Sequence, residues 1–347
     1  TLRQLLVGLG ARLEQAGPDL ALRTITQDSR EVRPGDLFIA RRGETLDGHS
    51  FIADAVNRGA AVVLAERTVD LSRPLQIVDL RSAGRPVEPI AATPGAIVYI
   101  LTADSQQALE RVAAWWRGQL PVDVVGVTGS VGKTSTKEAT AAVLGQRFTV
   151  LKSERSLNTD VGMALTLLGL TDAHQKAVLE MGMYARGEIA HLCRLARPRI
   201  GIVTNVGPVH LERLGSIDAI AEAKAELVDA LPDDGVAILN ADDERVWAMR
   251  RRTRAVPVGF GLRRGADVWA DDVAGHGLQG ISFTLHHGER RMTMRSPLIG
   301  EHNVWTCLAA TAAGIVCGLS LEQVSAGLQD QSQARRLAIV QAANGAV

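Results

Sequence analysis

Lys133, Thr134 and the two glycines ahead of them carry the clearest chemistry in this chain. The stretch Val122–Thr136 reads VDVVGVTGSVGKTST: an apolar, β-branched run ends in a glycine turn, and a helical pattern opens at Lys133-Thr134-Ser135. Strand, glycine loop and helix in that order form a phosphate-binding loop over Thr128–Ser135. Gly129 and Gly132 let the backbone around Ser130 and Val131 turn its N–H groups toward a polyphosphate, and the helix N-terminus adds the positive end of its dipole. Lys133 reaches the terminal phosphates, and the Thr134 hydroxyl is a ligand for Mg²⁺. The strict pattern places a glycine where Val127 stands, and Gly126 sits one residue earlier. The residues read as an ATP or GTP site; a tight glycine turn in an ordinary βα unit is the plainer reading.

Three more residues stand where chemistry gathers. In an open α/β sheet, ligands collect beyond the carboxyl ends of the strands. Glu180 ends the apolar run AVLEMG, and His210 follows IGIVTNVGPVH. A carboxylate facing a phosphate loop suits Mg²⁺, a hard cation that prefers oxygen, whereas a single histidine is more often a satisfied loop residue. Lys224 lies in the apolar stripe formed by Ile217, Ile220, Ala221, Leu227, Val228 and Leu231. A lysine there is paired or modified, or it snorkels at the edge of the stripe.

The elements that must position these residues form two modules. Residues 1–103 precede the phosphate-loop unit: a short helix over Arg3–Leu13, strands at Ile25, Leu37–Ala40 and Ala61–Ala65, a helix over Phe51–Arg58, and a Pro-rich, irregular stretch from Asp70 to Ile100. Asp28-Ser29-Arg30 and Asp47-Gly48-His49 are polar clusters at element ends, where ligand contacts often sit and where caps and turns are equally at home. A helix over Asp104–Gln119 leads into the phosphate-loop strand. Strands then alternate with helices, which predicts a mainly parallel sheet with crossover helices. Strands fall at Thr149–Leu151, Ala177–Met181, Ile200–Asn205, Val236–Leu239 and Ala255–Phe260, and helices at 160–168, 187–195, 216–231 and 242–250. Residues 266–295 alternate as antiparallel strands, before helices at Asn303–Cys317 and Leu321–Leu328.

Composition narrows the class. Of 347 residues, 46% are hydrophobic and 22% charged, so a sizeable core is available and global disorder is excluded. Lys+Arg and Asp+Glu both number 38, a balance that suggests neither a nucleic-acid groove nor a membrane surface. Cys193, Cys307 and Cys317 are scattered and odd in number, which fits a reducing cytoplasm better than a disulfide framework. No apolar run is long enough for a membrane span. A start at Thr1 rather than Met suggests a trimmed or partial chain.

DSREVRPGDLFIARRGETLDGHSF, VTGSVGKTSTKE, NTDVGMALTLL, EMGMYARGEIAHL, TNVGPVHLERLGS, EAKAEL and GEHNVW follow one another as in the Mur ligases. The resemblance covers nearly the whole chain and is closest to the branch that joins D-alanyl-D-alanine to UDP-N-acetylmuramoyl-tripeptide. It implies an α/β chain of three parts: an N-terminal UDP-substrate-binding domain over 1–103, a central ATP-binding domain with a mainly parallel sheet plus a small antiparallel sheet over 104–333, and the start of a Rossmann-like domain over 334–347. It also implies a monomeric, cytoplasmic, ATP- and Mg²⁺-dependent amide ligase of peptidoglycan precursor synthesis. The γ-phosphate passes to the substrate carboxylate, and the dipeptide amine attacks the resulting acyl phosphate. Residue by residue, the resemblance gives Lys133 and Thr134 to phosphate and Mg²⁺, and Glu180 and His210 to the metal sites. It makes Lys224 a carbamylated lysine and sets Asn303 beside the adenine. Asn158 and Thr159 meet the muramoyl substrate, and Ser29, Arg30 and His49 hold its UDP end.

Thr306 stands where the family often has a second Asn, Met163-Ala164 replaces a common Val-Pro, and Arg335 stands where a Gly often precedes the arginine, here Arg336. The third domain closes such ligases against water, so a chain ending at Val347 is expected to bind its ligands without forming product. Another Mur-type ligase and a catalytically incomplete nucleotide-binding fragment remain as alternatives. A GTPase switch is disfavoured because no NKxD-type guanine motif is found.

Overall fold

Short runs of valine and isoleucine without polar alternation suit strands covered on both faces, and the computed structural model arranges them so. It describes residues 1–13, 19–43, 45–82, 86–87, 95–154, 158–209 and 211–330. Two units emerge, Thr1–Leu120 with Ala164–Gly169, and Pro121–Met163 with Leu170–Val347.

In the first unit the chain runs α1 (Leu2–Gly8), β1 (Arg12–Leu13), β2 (Ile25–Thr26), β3 (Leu37–Ile39), α2 (Ile52–Asn57), β4 (Val62–Ala65), β5 (Leu75–Asp79), β6 (Pro86–Val87), β7 (Ile97–Leu101) and α3 (Ser105–Gln119). Five strands form a parallel sheet in the order β2-β3-β4-β7-β5, while β1 and β6 pair separately. Two expectations need correction. The helix over Arg3–Leu13 stops at Gly8, because Gly10 takes a left-handed φ of 82° and turns the chain into β1. The stretch from Asp70 to Ile100 is not wholly irregular: it holds β5 and β7. Every residue of β7, IVYIL, is buried, so burial on both faces removed the alternation that marks a half-exposed strand.

In the second unit, which holds α5 only as far as Met163, the chain continues through β8 (Asp123–Thr128), α4 (Lys133–Leu144), β9 (Val150–Lys152), α5 (Asp160–Leu168), β10 (Lys176–Glu180), α6 (Glu188–Ala196), β11 (Ile200–Val203), α7 (Leu211–Leu214), α8 (Ile217–Asp229), β12 (Val236–Asn240), α9 (Glu244–Ala248), β13 (Val256–Gly261), β14 (Val268–Gly275), β15 (Ile281–His287), β16 (Arg290–Ser296), α10 (Val304–Val316) and α11 (Leu321–Leu328). One nine-stranded sheet runs β16-β15-β14-β13-β12-β11-β8-β10-β9. It is parallel from β9 to β14, and the expected antiparallel strands continue that sheet through β14-β15 and β15-β16. From β8 the chain visits β9 and β10 on one side and then crosses to β11 on the other. That reversal opens a crevice between the carboxyl ends of β8 and β11.

A pair of glycines lets α8 settle close over this crevice. Gly126 of β8 and Gly201 of β11 are register partners. A Cβ on Gly126 would fall 2.9 Å from Leu227 Cδ1, and one on Gly201 would fall 3.1 Å from Leu227 Cγ. Leu227 is fully buried, and Lys224 sits one helical turn before it. Gly126→Val is expected to overpack this contact and destabilise the unit by about 1–3 kcal/mol. Adding Leu227→Ala should restore part of the loss in denaturant unfolding, and strictly additive effects would show that the contact does not set the helix position.

Candidate functional site

Strand β8 delivers Thr128 to the crevice, where its hydroxyl donates to the Met181 carbonyl at 2.9 Å. The chain then turns through Gly129, whose φ is 150° and whose missing Cβ would lie 1.9 Å from Thr204 Oγ1. Only glycine lets the loop pass there. Helix α4 begins at Lys133 after Gly132, with no side-chain cap and no acidic residue in its first turn, so its first N–H groups are left for a ligand.

The loop is braced from β11. The Asn205 side chain accepts from Val131 N–H and donates to Val131 C=O, both at 2.9 Å. Thr204 Oγ1 donates to the same carbonyl at 2.8 Å, and Ser130 exchanges hydrogen bonds with the Gly207 backbone. Asn240, at the end of β12, donates to Thr204 C=O at 2.8 Å. Lys133 Nζ donates to the loop's own carbonyls at Gly129 and Ser130, at 2.9 and 3.2 Å. Burial pulls its pKa below the usual lysine range, and Glu180 opposes that shift.

Glu180 ends β10 and is only 2% exposed. Its Oε2 accepts from the Thr134 hydroxyl at 2.7 Å, and its Oε1 accepts from Asn158 Nδ2 at 3.1 Å. A hydroxyl and a carboxylate touching on the floor of a phosphate-loop cavity form the oxygen-rich donor set that Mg²⁺ favours. That cavity, of about 630 Å³, is lined by Val131–Thr136, Asn158, Glu180, Thr204, Asn205 and Asn240, and at its other end by His302, Asn303, Trp305 and Thr306. Asn303 Nδ2 donates to the Ile299 carbonyl at 2.8 Å. A carbonyl can only accept, which fixes the amide's orientation and leaves Oδ1 as an acceptor.

A smaller cavity of about 110 Å³ joins Lys133 and Lys224 with Asn158, Thr159, Asp160 and Glu188. Lys224 is 2% exposed. Burial first, and then the Lys133 charge, push its pKa down to about 7. Its amine is therefore partly neutral at physiological pH.

In the first unit, Ser29 and Arg30 line a separate cavity of about 570 Å³ with Asp28, Arg41, Leu46, Phe51 and Asp54. Asp28 caps the turn by accepting from Arg30 N–H at 3.0 Å. The Ser29 hydroxyl, and then Arg58, hold Asp54 below the usual carboxylate range. His49 is fully buried behind this wall rather than on it. Its Nδ1 donates to Asp47 at 2.7 Å while its Nε2 accepts from Glu66 N–H at 3.1 Å, so both ring nitrogens are engaged within the protein.

A model of the Mur ligase middle domain matches residues 127–314, and one of the Mur ligase family catalytic domain matches residues 22–114. The chain belongs to the Mur ligase family. It is 36% identical over 332 residues to the UDP-N-acetylmuramoyl-tripeptide--D-alanyl-D-alanine ligase of Escherichia coli K12, covering 94% of this chain and 67% of that protein. To the ligase of the same name from Synechocystis it is 38% identical over 311 residues, covering 89% of this chain and 62% of the relative's length. Crystalline MurF from Acinetobacter baumannii superposes with a TM-score of 0.79 at 31% identity, over 95% of this chain and 68% of that one. MurF from Thermotoga maritima in complex with ADP gives 0.71 at 27% identity, over 89% and 66%.

Within this Mur ligase, the structure brings Gly129, Val131–Ser135, Asn158, Glu180 and Asn303 around the two adjoining cavities, with Thr159 and Lys224 on the smaller one, while Thr128 and Ser130 support the loop from behind. His210 and the Arg335-Arg336 pair lie outside the described residues. The sequence reading passed over Thr204, Asn205, Asn240 and Asp242. A signal was present: TN and NADD each follow an apolar strand at its carboxyl end, the place where Glu180 was sought. In the first unit Arg41, Leu46 and Phe51 were missed, as residues of a loop and a short turn without a local pattern.

Folding lowers the Lys224 pKa, so the unfolded chain binds more protons between pH 7 and about 10.5 and stability rises with pH across that window. In bicarbonate-free buffer, Lys224→Met is expected to stabilise the chain by a few kcal/mol at pH 7. The gain should shrink toward pH 10 in denaturant titrations, and a gain independent of pH would contradict the burial of a titrating amine.

Proposed function

We propose that this Mur ligase serves an ATP-dependent amide ligation joining D-alanyl-D-alanine to UDP-N-acetylmuramoyl-tripeptide. The observation that carries the reading is the contact between Thr134 and buried Glu180 directly beneath the uncapped start of α4. The α4 N–H groups and Lys133 bind the polyphosphate, and Lys133 offsets charge on the transferring phosphoryl group. Thr134 and Glu180 would hold Mg²⁺, which when bound supplies positive charge to the phosphate oxygens. Asn303 favours ATP over GTP: its Oδ1 accepts from the exocyclic amine of adenine, whereas guanine presents a carbonyl at that edge. Asn158 and Thr159, beside Lys133 and Lys224, face the muramoyl end bearing the reacting carboxylate, which is phosphorylated before the dipeptide amine attacks it. The cavity of the first unit, with Ser29 and Arg30 on its wall, takes the uridine-diphosphate end. Free, unpaired cysteines at 193, 307 and 317 are compatible with a reducing cytoplasm.

Lys224 fits a carbamylated lysine. Carbamate forms from a neutral amine and CO₂, and a pKa near 7 supplies that amine; the resulting anion then faces the Lys133 cation across the small cavity. In ¹³C-bicarbonate, the wild-type chain should show a carbamate carbon resonance that Lys224→Met lacks. No resonance with ligands and Mg²⁺ present would remove this role.

The substrate assignment is tested by separate calorimetric titrations with MgADP and with UDP-N-acetylmuramoyl-tripeptide. Both ligands should bind saturably, and Lys133→Ala should weaken MgADP by roughly tenfold or more while leaving the UDP-tripeptide isotherm unchanged. Failure of the UDP-tripeptide to bind at millimolar concentration would overturn the substrate, and unaltered MgADP binding by Lys133→Ala would overturn the phosphate-loop role.

A further inference from the structure

Trp305 stands on the first turn of α10 and lines the same cavity of about 630 Å³ as the phosphate loop. Among the described lining residues it alone offers an extended aromatic surface. Its indole N–H donates to Asp242 Oδ2 at 2.7 Å. Asp242 is itself immobilised: Oδ2 also accepts from Leu262 N–H at 2.7 Å, and Oδ1 accepts from Arg263 N–H at 3.0 Å. The indole is thus pinned at its polar edge, and swinging it out of the cavity would break a partly buried hydrogen bond to a charged acceptor.

The sheet order sets the distance between this ring and the phosphates. Asp242 follows β12, and β12 is separated from β8 by β11 alone, a displacement of about 10 Å across the strand ends. A nucleotide with its phosphates at the start of α4 lies across β11 and carries its base toward β12. Trp305 and Asn303 are at that end.

We infer that Trp305 is the platform on which the nucleotide base stacks, and that Asp242 positions it. The inference rests on the nucleotide-binding reading above and deepens it by dividing base recognition between two residues. Stacking gives affinity with little choice, because every base has a π-face. Choice falls to the Asn303 acceptor.

The test uses the whole chain with three probes, each with Mg²⁺: ADP, GDP and inorganic tripolyphosphate. In the wild type, MgADP should quench tryptophan emission and tripolyphosphate should not. Trp305→Phe should keep most of the ADP affinity and lose the quench. Trp305→Ala should bind ADP and GDP each roughly tenfold or more weakly, with their ratio and the tripolyphosphate affinity unchanged. ADP binding by Trp305→Ala at wild-type strength, or a quench that survives in Trp305→Phe, overturns the inference. Loss of tripolyphosphate binding in Trp305→Ala assigns the residue to packing and overturns it as well. A wild-type chain that binds ADP no better than tripolyphosphate has no base platform, and one that binds neither fails the nucleotide reading itself.

Discussion

The Asn205 side chain, hydrogen-bonded to both the N–H and the C=O of Val131, is the contact on which the phosphate site depends. A glycine loop between a strand and a helix has many conformations open to it, and glycine loses more backbone entropy than any other residue on being fixed. Here the fixing comes from the neighbouring strand. Thr204 and Asn205 grip the loop, Asn240 holds Thr204, and Asp243 accepts from Val206 N–H at 2.8 Å. The loop is thereby tied to the ends of two central strands of the sheet. Gly129 is what allows that approach, because the Thr204 hydroxyl occupies the space of a side chain.

A second layer of constraint comes from the helix over the crevice. Gly126 and Gly201 bring α8 down onto two adjacent strands, and this places Lys224 on the small cavity that Lys133 also lines. Two lysines in so small a space are electrostatically costly. Such a cost persists where a site is built for anions, and the uncapped start of α4 beside Lys133 offers N–H donors of the kind a phosphate takes.

Much of this was legible in the amino-acid order, and the remainder was hidden for identifiable reasons. The phosphate loop is contiguous, so its glycines, lysine and threonine can be read as one local pattern. Glu180 and Lys224 each betray themselves by a polar residue in an apolar context. The brace does not, because Thr204 and Asn205 follow β11 while Asn240 ends β12 and Asp243 follows it, and their meeting follows from strand order rather than from spacing. β7 was lost because complete burial removed its periodicity. His49 was hidden in the other direction: its cluster with Asp47 is local and easily read, but the hydrogen bond that joins its ring to Glu66 N–H spans 17 residues.

Among the described residues, the Lys133 ammonium hydrogen-bonds to carbonyls of the loop it follows. It can leave them by rotating about its own side-chain bonds, without breaking a single rung of the sheet. Capture of a phosphate therefore requires no backbone to become ordered. The conformational entropy of the loop was surrendered when the domain folded, and little ordering cost remains to be charged against the ligand.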